Sequence, residues 1–453
     1  MRLRDLEGKN VAIWGIGKDG ESALRCLRSL FPGKCLTILS DQPIPEHQQR
    51  ELEQIGPVVF TSGHAVGEAL CQHDVVIKSP GIPLYKDTLL TAKEQGTLFT
   101  SSANLFFAEV EGRDIIAVTG TKGKSTTASI IHHCLLKRGV SAEICGNIGK
   151  PFLDYIDKIP QTEIWVAELS SYQAADLIPF AKIALLVNMF PEHLDWHGSR
   201  DSYFRDKLRL FSPGKDNSTI INFLDPQSRL LTADLPNVTF FNAPAAIHVK
   251  GSDIYHGDER LGPVPAGDLE GQHNHVNVCA ALTALEAAGF DVRTSINELY
   301  DFRGLPHRQK VLGSEDGLTF VDDSISTTPE TAIAAIERFS GSPLCLLLGG
   351  YDRQQDYRNL AVLICQEDIP LVITLPENGD RVATAIKDVK EKTGTGPVLF
   401  AAKDLRSAIM IAKTETPRGG IVLLSPAAPS YGSFANFQER GQAFATLSGL
   451  KGK

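Results

Sequence analysis

Between an apolar run and a helical pattern stands Thr119-Gly120-Thr121-Lys122-Gly123-Lys124-Ser125-Thr126. Glycines at 120 and 123 let backbone N–H groups turn toward phosphate oxygens. Lys124 can reach β- and γ-phosphates, and Ser125 can offer a hydroxyl to Mg²⁺. The spacing is a shortened phosphate loop, because the full pattern wants a glycine where Val118 stands. A surface glycine–lysine turn is the competing reading, and the strand–loop–helix setting argues against it. Glu168-Leu-Ser170-Ser171-Tyr172-Gln173 puts a carboxylate at a strand end. It reads either as a magnesium ligand beside phosphates or as part of a helix cap. Asn188-Met-Phe-Pro-Glu192-His193-Leu-Asp195-Trp-His197 is a polar cluster where apolar residues have just stopped. It could hold Mg²⁺ or a phosphate, or be only a charged loop.

Three further clusters bear on ligands. Gly15-Ile-Gly17-Lys-Asp19-Gly20 follows a strand and opens a helix, with Asp41 at the end of the next strand. That is a dinucleotide-binding pattern in its expected context, open to NAD, to another nucleotide diphosphate, or to a tight turn alone. Gly271-Gln-His273-Asn274-His-Val-Asn277 precedes an alanine-rich helix, and its amides suit a purine edge or a helix cap. Pro306-His307-Arg308 and Asp322-Asp323-Ser324-Ile325-Ser326-Thr327-Thr328-Pro329 combine an arginine with strand-end carboxylates and hydroxyls. They suit ribose and phosphates or an amino-acid carboxylate, unless Thr328 and Thr331 merely start a helix.

The elements that must position these residues alternate. A short apolar strand, a glycine-containing turn and an amphipathic helix recur, which predicts parallel sheets covered by helices. Strands are expected at 10–15, 35–40, 74–79, 115–120, 163–169, 183–190, 218–223, 318–323, 344–350, 371–375 and 420–426. Helices are expected at 125–139 and 328–339 among others. The 453 residues, 42% hydrophobic and 22% charged, suffice for three such units and exclude a disordered chain. Breaks near 100–112 and 300–306 give expected domains of 1–102, 103–304 and 305–453. A net charge of −9 excludes a broad nucleic-acid surface while allowing a local phosphate pocket. The eight cysteines form no CxxC pair, which suits reduced thiols in a cytoplasmic protein. No apolar signal core opens the chain, and no run is long enough to span a membrane.

Taken in order, the segments GTKGKST from 120, GNIGKPF from 146, ELSSYQ from 168, NMFPEHLDWHG from 188, DKLRLF from 206, HNHVN from 273, GLPHR from 304, DDS from 322 and LLGG from 347 resemble the Mur ligases. These are the ATP-dependent amide-forming enzymes of peptidoglycan precursor synthesis. The resemblance implies a three-domain α/β protein: a Rossmann-like UDP-binding domain, a central P-loop ATPase domain and a C-terminal Rossmann-like domain that binds the amino acid. It is closest to the branch adding glutamate to UDP-N-acetylmuramoyl-L-alanine, with ATP and Mg²⁺, in a cytoplasmic monomer that inserts into no membrane and binds no nucleic acid.

The resemblance also implies roles. Gly17, Asp19, Ser79 and Gly81 would hold the UDP part, and Asn147 the substrate. Gly120 to Thr126, with Lys124, would hold the ATP phosphates, Asn277 the adenine side, and Arg308 and Asp323 the C-terminal part of the ATP site. Ser125, Glu168, His193 and a carbamylated Lys207 would serve magnesium, with Lys124, Glu168, His193 and Lys207 as the catalytic set. Thr327, Arg353, Ser430, Tyr431 and Phe437 would receive glutamate. Here the sequence departs from the D-glutamate enzymes, whose DSKATN-like run carries a lysine where Ile325 stands. Arg353 stands where a lysine is frequent, and Ser430-Tyr431 where a Ser-Leu pair is common. These departures resemble the branch that adds L-glutamate; D-glutamate is the alternative. A folylpolyglutamate synthase-like ligase, an NAD-dependent oxidoreductase and a non-catalytic nucleotide-binding protein are the rivals.

Overall fold

Runs of β-branched and aliphatic residues that can be buried on both faces become parallel strands, and three sheets organise the protein. The computed structural model describes residues 1–178, 181–211, 217–353, 355–367 and 369–450. The first sheet contains β1 (Val11–Trp14), β2 (Leu36–Ser40), β3 (Val58–Ser62), β4 (Val75–Lys78) and β5 (Leu98–Thr100), in the order β3-β2-β1-β4-β5, all parallel. The order reverses between β1 and β4, which opens a crevice outside their carboxyl ends.

The second sheet contains β6 (Asp114–Thr119), β7 (Ala142–Gly146), β8 (Ile164–Glu168), β9 (Ile183–Leu186), β10 (Ser218–Asn222) and β11 (Val238–Phe241). Its order is β11-β10-β9-β6-β8-β7, again parallel throughout. The loops leaving β9, β6, β8 and β7 therefore stand side by side along one edge. A three-stranded antiparallel sheet of β12 (Ile247–Lys250), β13 (Asp253–His256) and β14 (Glu259–Pro263) follows. The sequence pattern had not foreseen it. The helices Lys124–Lys137 and Gln272–Ala287 pack together, burying Ile130, Ile131, Leu282 and Leu285.

The third sheet contains β15 (Lys310–Glu315), β16 (Leu318–Asp322), β17 (Leu344–Gly349), β18 (Leu371–Leu375), β19 (Val398–Ala401) and β20 (Ile421–Leu424). The order is β15-β16-β20-β17-β18-β19, with only the edge strand β15 antiparallel.

The described chain divides into two compact units, one through Phe302 and one from Arg303. Within the first, the expected division at 102/103 falls just inside the helix Ser102–Glu109, which packs on the sheet that follows. Its Phe106 lies edge-on to Trp165 of β8 (centroids 4.9 Å apart) and against Phe152 (5.2 Å). One apolar cluster thus runs from Ile13 and Ile77 of the first sheet to Ile115 and Trp165 of the second. Among the described residues, no helix is long and apolar enough to cross a membrane.

Candidate functional site

The phosphate loop connects β6 to the helix Lys124–Lys137. Gly123 caps that helix at φ +83°, and a Cβ there would lie 2.2 Å from Asn277 Oδ1, so both conformation and space demand glycine. The first-turn amides, those of Ser125 and Thr126 among them, are the ones a helix leaves without intrahelical partners, a setting that attracts anions. Lys124 folds its amine back to the Thr121 carbonyl at 3.0 Å. The loop is held from outside by Asn188, the residue that ends the β9 run. Its Oδ1 accepts from the amides of Thr121 (3.1 Å) and Lys122 (2.8 Å), and its Nδ2 donates to the Lys122 carbonyl (3.1 Å). Sequence reasoning quoted Asn188 without giving it a role. An asparagine at the end of an apolar strand beside a phosphate-loop strand was the available signal.

Around this loop the central edge gathers the expected residues. Glu168 ends β8 fully buried; its Oε1 accepts from Asn147 Nδ2 (2.8 Å), whereas its Oε2 has no hydrogen-bond partner among the described residues. A buried carboxylate oxygen left unspent is costly unless a cation completes it, so the donor set fits magnesium. The described residues contain no group of three or more His, Cys, Asp or Glu side chains that could hold a metal.

Lys207 is 2% exposed and donates to the Gly120 carbonyl at 3.0 Å. Burial, with the charge of Lys124 adding to it, holds its amine well below the ordinary lysine range, against the opposing pull of Glu192 and Glu168. His193 occupies a left-handed conformation (φ +57°) at the start of a short helical turn and is half exposed, its ring 5.0 Å from that of Tyr172. Burial, with Lys124 and Lys207, lowers its pKa against Glu192 and Asp195. Lys122 pairs with Glu192 at 2.9 Å. Asn277, expected on the adenine side, lies against Gly123 and Thr127. Its Oδ1 accepts from Thr127 Oγ1 (3.3 Å) and its Nδ2 donates to Asn274 (3.2 Å).

The first crevice is built at the ends of β1 and β4. Gly17 caps the helix Lys18–Leu30, and a Cβ on Gly20 would lie 1.9 Å from the Gly15 carbonyl. Ser79 Oγ donates to that same carbonyl at 3.1 Å, closing one loop on the other. Asp19 titrates above the usual carboxylate range because it is buried and near Asp154, with Lys78 opposing. Gly81 gives its carbonyl to Trp196 Nε1 (3.1 Å). Asp41, on which an NAD reading leans, is engaged by Lys86 (2.7 Å) and Trp14 (3.3 Å).

In the second unit, the expected residues line the carboxyl edge of the third sheet. Asp323 is buried after β16 and accepts from Ser425 Oγ (2.7 Å), Ser326 Oγ (2.5 Å) and the Gln309 amide (3.1 Å). Burial pushes its pKa up to about 6 despite those donors and Arg308. Arg308 Nε has no hydrogen-bond partner among the described residues. Thr328 caps the helix Pro329–Arg338 with Thr331, so those hydroxyls do start a helix. The Thr327 carbonyl accepts from Gln355 (3.0 Å). Ser430 is buried, while Tyr431 and Arg353 are exposed with the guanidinium 5.8 Å from the ring centroid. Phe437 opens the last helix, its ring 6.1 Å from that of His307.

Sequence reasoning missed Arg440, 2% exposed, whose Nε donates to Ser324 Oγ (3.0 Å). Its Nη2 donates to the carbonyls of Ser324 (2.8 Å) and Ala428 (3.0 Å). An arginine four residues before Phe444 on a buried helix stripe was the signal.

Comparison with known proteins joins these observations. The Mur ligase middle domain matches residues 118–285. A UDP-N-acetylmuramoyl-L-alanine--L-glutamate ligase of Xanthomonas axonopodis pv. citri is 38% identical over 460 residues, covering 99% of this chain and 97% of that one. The UDP-N-acetylmuramate-alanine ligase of Thermotoga maritima has a similar structure, with a TM-score of 0.59 at 16% identity, over 97% of this chain and 98% of that one. The MurF ligase of the same organism, solved with ADP, gives a TM-score of 0.57 at 16% identity over 99% and 96%. At such identities the two structures speak for the fold.

Proposed function

The chain belongs to the Mur ligase family, and on that premise we propose that it joins L-glutamate to UDP-N-acetylmuramoyl-L-alanine at the expense of ATP, in the cytoplasm. The observation that carries this reading is a convergence. Along adjacent strand ends lie a phosphate loop with Lys124, a buried carboxylate with one oxygen unspent, and a buried amine against the loop. Such a set suits charge developing on a transferring phosphoryl group.

A carboxylate is a poor electrophile. In this reading the alanyl carboxylate attacks the γ-phosphorus, ADP departs, and an acyl phosphate forms. The glutamate amine then attacks the acyl carbon through a tetrahedral intermediate, phosphate leaves, and the amide remains. Lys124 and the amides of Gly120 to Thr126 hold the phosphates. Ser125, Glu168, His193 and Lys207 would hold magnesium, which when bound supplies positive charge against the phosphoryl oxygens. Burial and the nearby charge of Lys124 favour the neutral form of the Lys207 amine. A neutral amine can add CO₂, forming an N–C bond and losing a proton to give an anionic carbamate. Glu168 Oε1 holds the amide of Asn147, the residue this reading gives to the substrate, by accepting from its Nδ2. Ile325, Arg353 and the Ser430-Tyr431 pair support L-glutamate, because they relocate the donors that a glutamate carboxylate needs.

The test is ADP release by the purified enzyme with UDP-N-acetylmuramoyl-L-alanine and each glutamate enantiomer in turn. The reading expects release only with the UDP substrate and a higher kcat/KM for L-glutamate. Release that ignores the UDP substrate would overturn it. Preference for D-glutamate would overturn the stereochemical part.

A further inference from the structure

The loop after β4 and the loop after β6 belong to different sheets, yet three ties connect the first to the surroundings of the second. The first tie is Lys78, 1% exposed, whose amine donates to the Ile82 carbonyl (3.1 Å) and lies 3.7 Å from Asp176. In the second, Trp196 Nε1 donates to the Gly81 carbonyl at 3.1 Å. The third is Tyr85, whose hydroxyl reaches both oxygens of Asp206, at 2.8 and 2.9 Å.

Asp206 is 2% exposed on the helix Arg200–Leu208, and that helix is the phosphate loop's outer support. From it, Tyr203 OH meets Thr121 Oγ1 at 2.8 Å and Lys207 Nζ meets the Gly120 carbonyl. Asp206 also accepts from His197 Nδ1 (2.7 Å), and His197 Nε2 meets Ser171 Oγ (3.1 Å), three residues after Glu168. His197 is 1% exposed and its ring lies between those of Trp196 and Tyr203. Tyr85 and Asp206 have no role in the proposed chemistry, and His197, part of the cluster read from the sequence as able to hold Mg²⁺ or a phosphate, instead spends both ring nitrogens on Asp206 and Ser171. A polar chain whose inner members, Asp206 and His197, are buried and hydrogen-bonded resists graded deformation: its members move together or break a bond.

We infer that the chain Tyr85–Asp206–His197, with Trp196 on Gly81, couples the nucleotide-sugar crevice of the first sheet to the phosphate loop of the second, so that each ligand tightens the other. These are positioning residues; none need touch a ligand. The inference rests on the proposed function for the identity of the two ligands. A ligand that orders Ser79 and Gly81 fixes the loop carrying Tyr85, and that fixes Asp206 beside Lys207. By linkage the effect must be equal in both directions.

The experiment is titration calorimetry with the full chain, using UDP-N-acetylmuramoyl-L-alanine and the magnesium complex of β,γ-imido ATP, each alone and each in the presence of the other. Wild type should show at least about fivefold mutual tightening, a coupling of ordinary size. Tyr85→Phe, which removes one hydroxyl at a partly exposed ring, should cut that factor to below about twofold while each Kd measured alone stays within about threefold. Adding Trp196→Phe should abolish what remains. A residue that merely stabilises the fold would lower both affinities and leave the ratio intact. Full coupling in the Tyr85→Phe, Trp196→Phe protein overturns the inference, as does independent binding in wild type with both ligands bound. Failure of wild type to bind either ligand instead overturns the function proposed above, and the coupling with it.

Discussion

At the carboxyl edge of the central sheet, the buried carboxylate of Glu168 keeps an oxygen to spare; at that of the third sheet, the buried Asp323 and Arg440 commit their polar atoms to internal partners, although Arg308 Nε has none among the described residues. Glu168 Oε2 has no hydrogen-bond partner among the described residues, and Lys207 gives its amine to one carbonyl. Asp323, by contrast, accepts from two hydroxyls and an amide, and Arg440 ties two loops together through Ser324 and Ala428. The first arrangement is poised for ligand charge. The second fixes the loops after β16 and β20, while Arg353 and Tyr431 stay exposed.

The contrast can be broken by substitution. The largest effect is expected for Arg440→Met, which strips donors from both loops and leaves Asp322 and Asp323 without their buried counter-charge. About 3–5 kcal/mol of stability should be lost. Native-state hydrogen exchange on β16 and β20 of the full chain measures it, and unchanged protection would contradict the scaffold role.

Lys124→Ala comes next. Removing one preorganised charge should slow ADP release by about 10²–10³-fold, with the circular dichroism spectrum unchanged. Near-normal turnover would remove Lys124 from the site.

Lys207→Ala should cost roughly 10²-fold, and a small carboxylate such as acetate should restore part of it by standing in for the carbamate oxygens. Equal activity with and without acetate would argue that the amine itself, not an anion built on it, is what matters.

Asp323 makes a pH prediction. Its native pKa near 6 exceeds the ordinary 3.8, so between those values the native state binds the extra proton. Stability therefore falls as pH rises through about 4 to 6, by on the order of 3 kcal/mol. Asp323→Asn should flatten that slope in urea unfolding of the full chain; a slope that survives assigns it to another group.

The smallest effect is expected at the exposed rim. Arg353→Lys exchanges a planar fork for a point charge and should raise KM for glutamate about three- to tenfold with KM for ATP unchanged. Equal shifts in both constants would deny Arg353 its part in amino-acid recognition.

The strands that the sequence marked, such as those at 11–14, 164–168 and 344–349, are buried along their whole length. An uninterrupted apolar run is what such burial requires. The strands it did not mark are β3, β5, β7, β11, β15 and β19, which are the sheet edges, and the small sheet β12–β14. Their burial is partial, as in β3 and β19, so composition does not separate them from loops. The phosphate loop and Glu168 were legible for a related reason: their chemistry is local, set by glycine spacing and by position at a strand end.

The partners that make those residues usable were not legible. Asn188 holds a loop 66 positions away, Tyr85 meets Asp206 across 121, and Arg440 meets Ser324 across 116. The sequence by itself determined the alternating α/β pattern, the interior strands and where the glycine loop and strand-end carboxylate stand, because each depends on neighbours along the chain. The tertiary structure alone decided which polar side chains are buried, whom they meet and which keep capacity to spare. Those outcomes depend on which distant strand ends the sheet order brings together.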